Sequence, residues 1–266
     1  MCLLSTCMHI GTFDSSYLTA LEDIGVTRLS LGIQSFNDNI LKHCGRPHTR
    51  YDIYNAMNLV SKSSRYTSNF NIDLISSLPY LSSELWEETL LEAIEIQSTH
   101  ISVYDLQIEE KSAFGRWYTP GIFPIPTESE ASLMYEAAVG ILTNNGGYEH
   151  YEVSNYAKPG KHSRHNRKYW ACNDVLSFGM GAASLISGAR YTRPGRRKAY
   201  EDWVDKRVAM VASPPAAAIA AAGRDAGTLP PSMSSIVKGE VSVVSYGLEV
   251  TRVDILEKVL HYILSN

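Results

Sequence analysis

Gln34, Asp73 and Tyr104 are the side chains of this 266-residue chain best placed by pattern to meet a ligand. Gln34 ends the run Thr27 to Gln34, Asp73 is set among the apolar residues of Phe70 to Ile75, and Tyr104 stands near the exit of His100 to Gln107. A carboxamide, a carboxylate and a phenol at matching ends of consecutive strands would offer hydrogen bonds to one small molecule. Taken singly, a strand-end Gln or Asp is more often a cap or turn residue than a ligand, and three at matching strand ends shift that balance. A second concentration of chemistry is His162-Ser163-Arg164-His165-Asn166-Arg167-Lys168-Tyr169-Trp170, where imidazoles, cations and aromatics crowd together.

The elements that must carry these groups follow from periodicity. Leu29, Leu31 and Ile33 alternate with Ser30, Gly32 and Gln34, the mark of a short buried strand. Helical segments are expected at Asn37 to Leu41, Tyr51 to Ser61 and Glu84 to Ile96, the last with Trp86, Leu90, Ala93 and Ile94 on one face. Strand and helix in strict alternation predict an α/β parallel sheet or barrel, whose chemistry gathers at the carboxyl ends of the strands. Upstream, residues 2 to 10 form a further strand, and Asp14 or Ser15 caps a helix carrying Tyr17, Leu18 and Leu21 that stops near Gly25. A buried parallel strand needs neighbours on both edges, so a preceding segment is expected.

After the third strand come an aromatic segment at Phe114 to Tyr118 and a Pro-punctuated loop. A helix from Glu128 to Asn144 is predicted next, with Thr127 as N-cap and Leu133, Ala137, Ala138 and Ile141 on its inner face. Tyr148 to Ser154 alternates as one strand, and Val175 to Ile186 has the small residues of a close-packed strand or loop. From about Ala209 an Ala, Pro, Gly and Ser-rich stretch predicts a linker to residue 235. Short strands within Ile236 to Val250 and a closing helix bearing Val253, Leu256, Val259, Leu260 and Ile263 complete the expectation.

Composition narrows the classes. A chain 44% hydrophobic and 20% charged can bury a sizeable core. A net charge of -4 gives no basic surplus for nucleic acid or an anionic membrane. No stretch approaches the roughly 18 apolar residues of a membrane-spanning helix. Cys2, Cys7, Cys44 and Cys172 lack a disulfide-scaffold spacing and fit a reducing compartment.

Taken in order, GVTRLSLGIQSF, CGRPH, NIDLISSLP, HISVYDLQIE, GYEHYEVSNYA and HNRKYW resemble the radical S-adenosylmethionine (SAM) proteins of the anaerobic coproporphyrinogen III dehydrogenase family. HNRKYW matches the HNxxYW pattern of that family's haem-chaperone branch, and the likeness spans roughly residues 3 to 206. The resemblance implies the later strands of a partial (βα)6 barrel over residues 1–125 and an α+β extension over 126–208. The linker at 209–235 and a strand-helix remnant of a further domain at 236–266 would follow. It implies that Gln34 and Asp73 hold ribose hydroxyls, because a carboxamide and a carboxylate accept hydrogen bonds from a diol. Arg46 would pair with the methionine carboxylate, for which a guanidinium fork is suited; the alternative is a solvated helix-end cation. Tyr104 to Leu106 would pass the adenine, or simply pack.

His165, Asn166, Tyr169 and Trp170 match the branch motif. An imidazole can ligate haem iron and the aromatic pair can lie along a porphyrin, which makes His165 the iron-ligand candidate, with His150 and His162 weaker ones. The competing role is structural, with His165 and Asn166 bridging elements while Tyr169 and Trp170 fill a core. The implied cofactors are SAM, a [4Fe-4S] cluster and haem, and the implied partners haem or porphyrin and a haem-accepting protein. The expected location is the cytoplasm, or a mitochondrion or plastid if a missing amino terminus carries a transit peptide.

The sequence also departs from the family. It contains no CxxxCxxC, and Cys2 and Cys7 are separated by four residues. The glycine-rich segment that meets the methionine amino group is absent, and Cys7 to Gly11 replaces an acidic residue before Asn-Pro-Gly or Asp-Pro-Gly. Without three thiolates reductive cleavage of SAM has no cluster to drive it, so the chain as written is expected to be catalytically silent. An amino-terminally truncated haem chaperone is the leading expectation. An oxygen-independent coproporphyrinogen III dehydrogenase, or a degenerate haem- or nucleotide-binding protein, are the alternatives.

Overall fold

The computed structural model describes residues 4–212, 242–245 and 248–250. The predicted linker therefore lies outside the described residues except at 209–212, and the predicted closing helix lies outside them altogether. The described residues fall into two compact units: Ser5–Ser163, and Leu4 with the described residues from Arg164 onward.

In the first unit β1 (Ser5–His9), β2 (Arg28–Gln34), β3 (Phe70–Ser76) and β4 (His100–Asp105) lie side by side in parallel. The crossovers are α1 (Ser15–Asp23) after β1, α2 (Asp38–His43) and α3 (Arg50–Ser61) after β2, and α4 (Ser83–Glu95) after β3. Beyond β4 come α5 (Ala113–Trp117) and α6 (Glu128–Gly140), the latter running into a single π turn, Ile141–Asn145. A hairpin of β5 (Glu149–Glu152) and β6 (Asn155–Ala157) then returns antiparallel, giving the order β1-β2-β3-β4-β6-β5. The alternation of strand and helix predicted this parallel core and the approximate bounds of each crossover.

Helix starts are written locally. The Asp14 carboxylate accepts from the Tyr17 N–H to open α1, and reciprocal capping boxes, Thr49 with Asp52 and Thr127 with Glu130, open α3 and α6. Period-2 alternation then splits the sheet into two unlike faces. Leu29, Leu31, Ile33, Ile72, Leu74 and Ile101 share one face and are 0% exposed. Each such side chain contributes about 1.5–3 kcal/mol by leaving water. Cys7, Ser30, Asn71, Asp73, His100 and Ser102 occupy the other face, matched in register across β1 to β4.

Three expectations change. The inner face of α6 is Met134, Ala138 and Leu142, one residue round from the predicted stripe, and Leu133 is 59% exposed. The neighbouring helix decides this: the Trp86 indole N–H on α4 donates to the Met134 carbonyl at 2.8 Å. The strand predicted over Tyr148 to Ser154 is β5 and stops at Glu152, because the chain turns at Val153-Ser154 between β5 and β6. Val175 to Ile186 is two strands.

In the second unit the chain forms α7 (Arg164–Trp170), β7 (Val175–Ser177), β8 (Ala183–Ile186), β9 (Ala189–Thr192) and α8 (Arg197–Ala212). β10 (Ser242–Ser245) and β11 (Leu248–Val250) pair with each other as predicted and extend the sheet in the order β11-β10-β7-β8-β9. No described helix is long and apolar enough to cross a membrane. The shifted face of α6 is testable by urea denaturation. Met134→Ala should cost about 2–5 kcal/mol and Leu133→Ala within about 0.5 kcal/mol, and the reverse order would refute the assignment.

Candidate functional site

Gln34 ends β2 in a conformation that only its surroundings justify. Its φ is +71°, and the register of β2 against β3 slips between Gly32 and Gln34, a bulge that re-aims the side chain. The carboxamide folds back over Gly32: a Cβ added there would stand 2.7 Å from the Gln34 Nε2. Glycine at position 32 is thus the cradle for the amide. Gln34 is 7% exposed, and among the described residues nothing hydrogen-bonds its carboxamide. A carboxamide without a protein partner is free to hydrogen-bond a ligand.

Asp73 lies beside it, because Gly32 pairs with Asp73 and Asp73 with Ser102 across the strands. It is the fourth of seven residues of β3 and 9% exposed. Ser30 Oγ donates to its Oδ2 at 3.0 Å, Asn71 Nδ2 to its Oδ1 at 2.7 Å, and the Cys7 thiol faces Oδ2 at 3.8 Å. Burial raises the Asp73 pKa above the usual carboxylate value, and the hydrogen bonds from Ser30, Asn71 and Ser102 offset that only in part. The Cys7 thiol is pushed up by burial first and the carboxylate second. Tyr104 is 45% exposed over its whole side chain, yet its hydroxyl is pushed up to about 12, by burial first and then by the facing Asp73. Leu106 follows β4, half-buried, with its N–H on the Ser76 carbonyl at 3.3 Å.

Arg46 is placed by a helix ending. Gly45 takes φ +65°, and the N–H groups of Gly45 and Arg46 donate to the Lys42 and Leu41 carbonyls, closing a Schellman turn after α2. Two residues on, buried His48 sets Nε2 3.1 Å from the Ile33 carbonyl and ties the loop to the end of β2. Arg46 is half-buried with no ion pair among the described residues. The neighbouring Cys44 thiol is pushed up to about 11 by burial, against the pull of Arg46.

The motif residues belong to the second unit. His165 and Tyr169 lie one turn apart on α7 with ring centroids 4.7 Å apart and planes at 87°. Asn166 is half-buried, and Trp170 is 61% exposed. A cavity of about 690 Å³ is lined by Tyr169, Phe178, Met180, Leu185 and Arg190, among others. In the first unit His150 stacks on Tyr156 at 4.5 Å, and His162 Nε2 meets Glu149 at 2.6 Å. Among the described residues no three His, Cys, Asp or Glu side chains are grouped to hold a metal ion. The sequence pattern did not single out Asn71, His100 or Tyr151, which complete the polar face.

Comparison with known proteins gives these residues a context. The haem chaperone HemW of Synechocystis is 38% identical over 195 residues, covering 73% of this chain and 47% of that protein. The HemW of Lactococcus lactis is 35% identical over 185 residues, covering 70% of this chain and 48% of that one. Over the matched residues the chain is similar to the HemW haem chaperones. It spans about half the length of these HemW relatives. A bovine radical S-adenosyl methionine domain-containing protein 1, mitochondrial, is 33% identical over 168 residues, covering 63% of this chain and 37% of that protein. Among solved structures, the HemN coproporphyrinogen III oxidase of Escherichia coli, a radical SAM enzyme, superposes with a TM-score of 0.65 over 76% of this chain and 48% of that one. At 21% identity that match shows a shared fold over the matched residues. No protein-family model matches the chain.

His100 gives the polar face a pH signature. Burial lowers its pKa from 6.5 to about 2, so the folded protein keeps it neutral while the unfolded chain takes up a proton below about 6.5. Stability is then complete above that pH and falls as pH drops through it. Denaturant titrations should show wild type losing up to about 1.4 kcal/mol per pH unit between roughly pH 6 and 4 relative to His100→Gln. Parallel pH profiles would contradict the burial of a neutral imidazole.

Proposed function

We propose that this chain acts in haem handling as a HemW-type chaperone, with a nucleotide site on the polar face of its parallel sheet and a haem site at α7. Gln34 and Asp73 meet the ribose hydroxyls of SAM, Arg46 takes its carboxylate, and Tyr104 and Leu106 flank the adenine. The observation that carries the nucleotide site is the unpartnered Gln34 carboxamide folded over Gly32 beside the buried Asp73. These donors and acceptors fit a diol and a carboxylate. SAM supplies a sulfonium and an adenosyl group when bound; the residues named here hold and orient it.

His165, Asn166, Tyr169 and Trp170 fit haem in a different way. An imidazole and a phenol ring one helical turn apart, next to a cavity within the roughly 300–1,000 Å³ range of small-molecule pockets, suit a flat macrocycle. His165 would supply the iron ligand, and a haem-accepting protein would be the partner. A [4Fe-4S] cluster does not fit the residues present, since the four cysteines of the chain lack the three-thiolate spacing. The role proposed for the residues present is therefore binding and transfer. The HemW relatives favour this role over coproporphyrinogen oxidation.

Haem titration followed at the Soret band tests it. The chain should give a saturable shift at one haem per chain, and His165→Ala should weaken it by about tenfold or more. No shift with wild type would sink the haem role. Identical spectra for the variant would remove His165 as the iron ligand.

A further inference from the structure

The polar face holds a run of hydrogen bonds whose direction is forced. Asp73 is an acceptor, so Asn71 presents its amide N–H to Oδ1 at 2.7 Å and to the Ser30 oxygen at 2.5 Å. The other end of that amide is therefore the oxygen, and it faces His100 Nδ1 at 2.6 Å and the Ser102 hydroxyl at 3.3 Å. His100 must then carry its proton on Nδ1. His100 is 1% exposed, and burial keeps its ring neutral, so Nε2 is left as an acceptor for the Tyr151 hydroxyl at 2.8 Å. The Tyr151 oxygen in turn accepts the Ser163 N–H at 3.3 Å. Donation runs one way, from Ser163 through Tyr151, His100 and Asn71 to Asp73.

We propose that Tyr151, His100 and Asn71 are positioning residues: they lock the Asp73 carboxylate as an oriented acceptor and so set the preference of the site for a ribose carrying free 2′- and 3′-hydroxyls. This rests on the assignment of Asp73 to the ribose of SAM. A carboxylate offers about four acceptor positions; Asn71, Ser30 and Cys7 donate to Asp73, which leaves it room for a ribose hydroxyl, with the Gln34 carboxamide beside it for the other. If the Asn71 amide turned over, its oxygen would confront the carboxylate and the anion would lose a donor. The His100 N–H, its tautomer fixed by the Tyr151 hydroxyl, opposes that turn together with the Ser102 hydroxyl. Tyr151 reaches the network from the β5–β6 hairpin, so the hairpin connects the nucleotide site to the segment that leads into α7.

The test is calorimetric binding of S-adenosylhomocysteine, which needs no cluster, and of its 2′,3′-dideoxy analogue, to the full chain and its variants. Wild type should favour the diol by about tenfold or more. Tyr151→Phe keeps the ring and loses the donor; it should lower that ratio about threefold to tenfold while leaving affinity for the dideoxy analogue unchanged. His100→Asn keeps an N–H donor near the Nδ1 position and should retain more of the preference than His100→Leu, a comparison that decides the matter if Tyr151→Phe fails to fold. Asp73→Asn should abolish the preference. If Asp73→Asn lowers the ratio but Tyr151→Phe and His100→Leu do not, the positioning role is wrong and the ribose assignment stands. If both ligands weaken equally in Tyr151→Phe or His100→Leu, the role is merely structural and the proposal is overturned. If wild type shows no diol preference, or Asp73→Asn leaves it intact, the ribose assignment itself fails.

Discussion

Burying a carboxylate in the middle of a parallel sheet is the constraint around which the first unit is organised. An ionised group there is costly unless donors surround it, and Asp73 is 9% exposed. Its donors cannot come from its own strand alone, because β3 places only every second side chain on that face. Ser30 from β2, Asn71 from β3 and Cys7 from β1 meet it, and His100 from β4 and Tyr151 from β5 hold Asn71 in turn. Five strands therefore contribute to one anion. Register is fixed twice, by the apolar stripe that must face the helices and by the polar stripe that must satisfy Asp73. A slip of one residue would break both.

The same face is where the fold departs from ideal geometry. Gln34 holds a positive φ and a bulge, which a regular strand would avoid, and the result is an amide turned over glycine next to the carboxylate. A positive φ at Gln34 and an amide without a protein partner beside a buried acid mark a place shaped for something other than stability. The Schellman turn at Gly45 and the bond from His48 to the end of β2 make the loop bearing Arg46 an extension of that strand end. The second unit carries the other half of the proposed chemistry on α7, where His165 and Tyr169 share a helix face.

Much of this was legible in the sequence. Alternation in Leu29 to Gln34 specified a strand with two faces, and Asp14 and Thr127 announced helix starts that the backbone adopts. Errors arose where a neighbour decides. Met134 rather than Leu133 faces inward because the Trp86 indole bonds to the backbone there, and helical spacing alone fits either stripe. The turn at Val153-Ser154 has no Gly or Asn-Gly signal, so alternation ran through it unbroken. Gln34 and Asp73 stood out as polar residues in apolar runs. Asn71, His100 and Tyr151 did not, since what joins them is register between strands 29 residues apart for His100 and Asn71, and 51 for His100 and Tyr151. A parity count, with Asn71 two before Asp73 and His100 two before Ser102, is the one sequence trace of that face.

Nitrogen-15 NMR of the His100 side chain, recorded on the full chain across pH 8 to pH 4, tests the central claim most directly. A forced chain of donors ending on Asp73 requires a neutral ring with its proton on Nδ1 throughout that range. A neutral ring protonated on Nε2 would reverse the donation to Asn71, and an imidazolium formed near pH 6.5 would turn the Tyr151 hydroxyl from donor to acceptor; either contradicts the account.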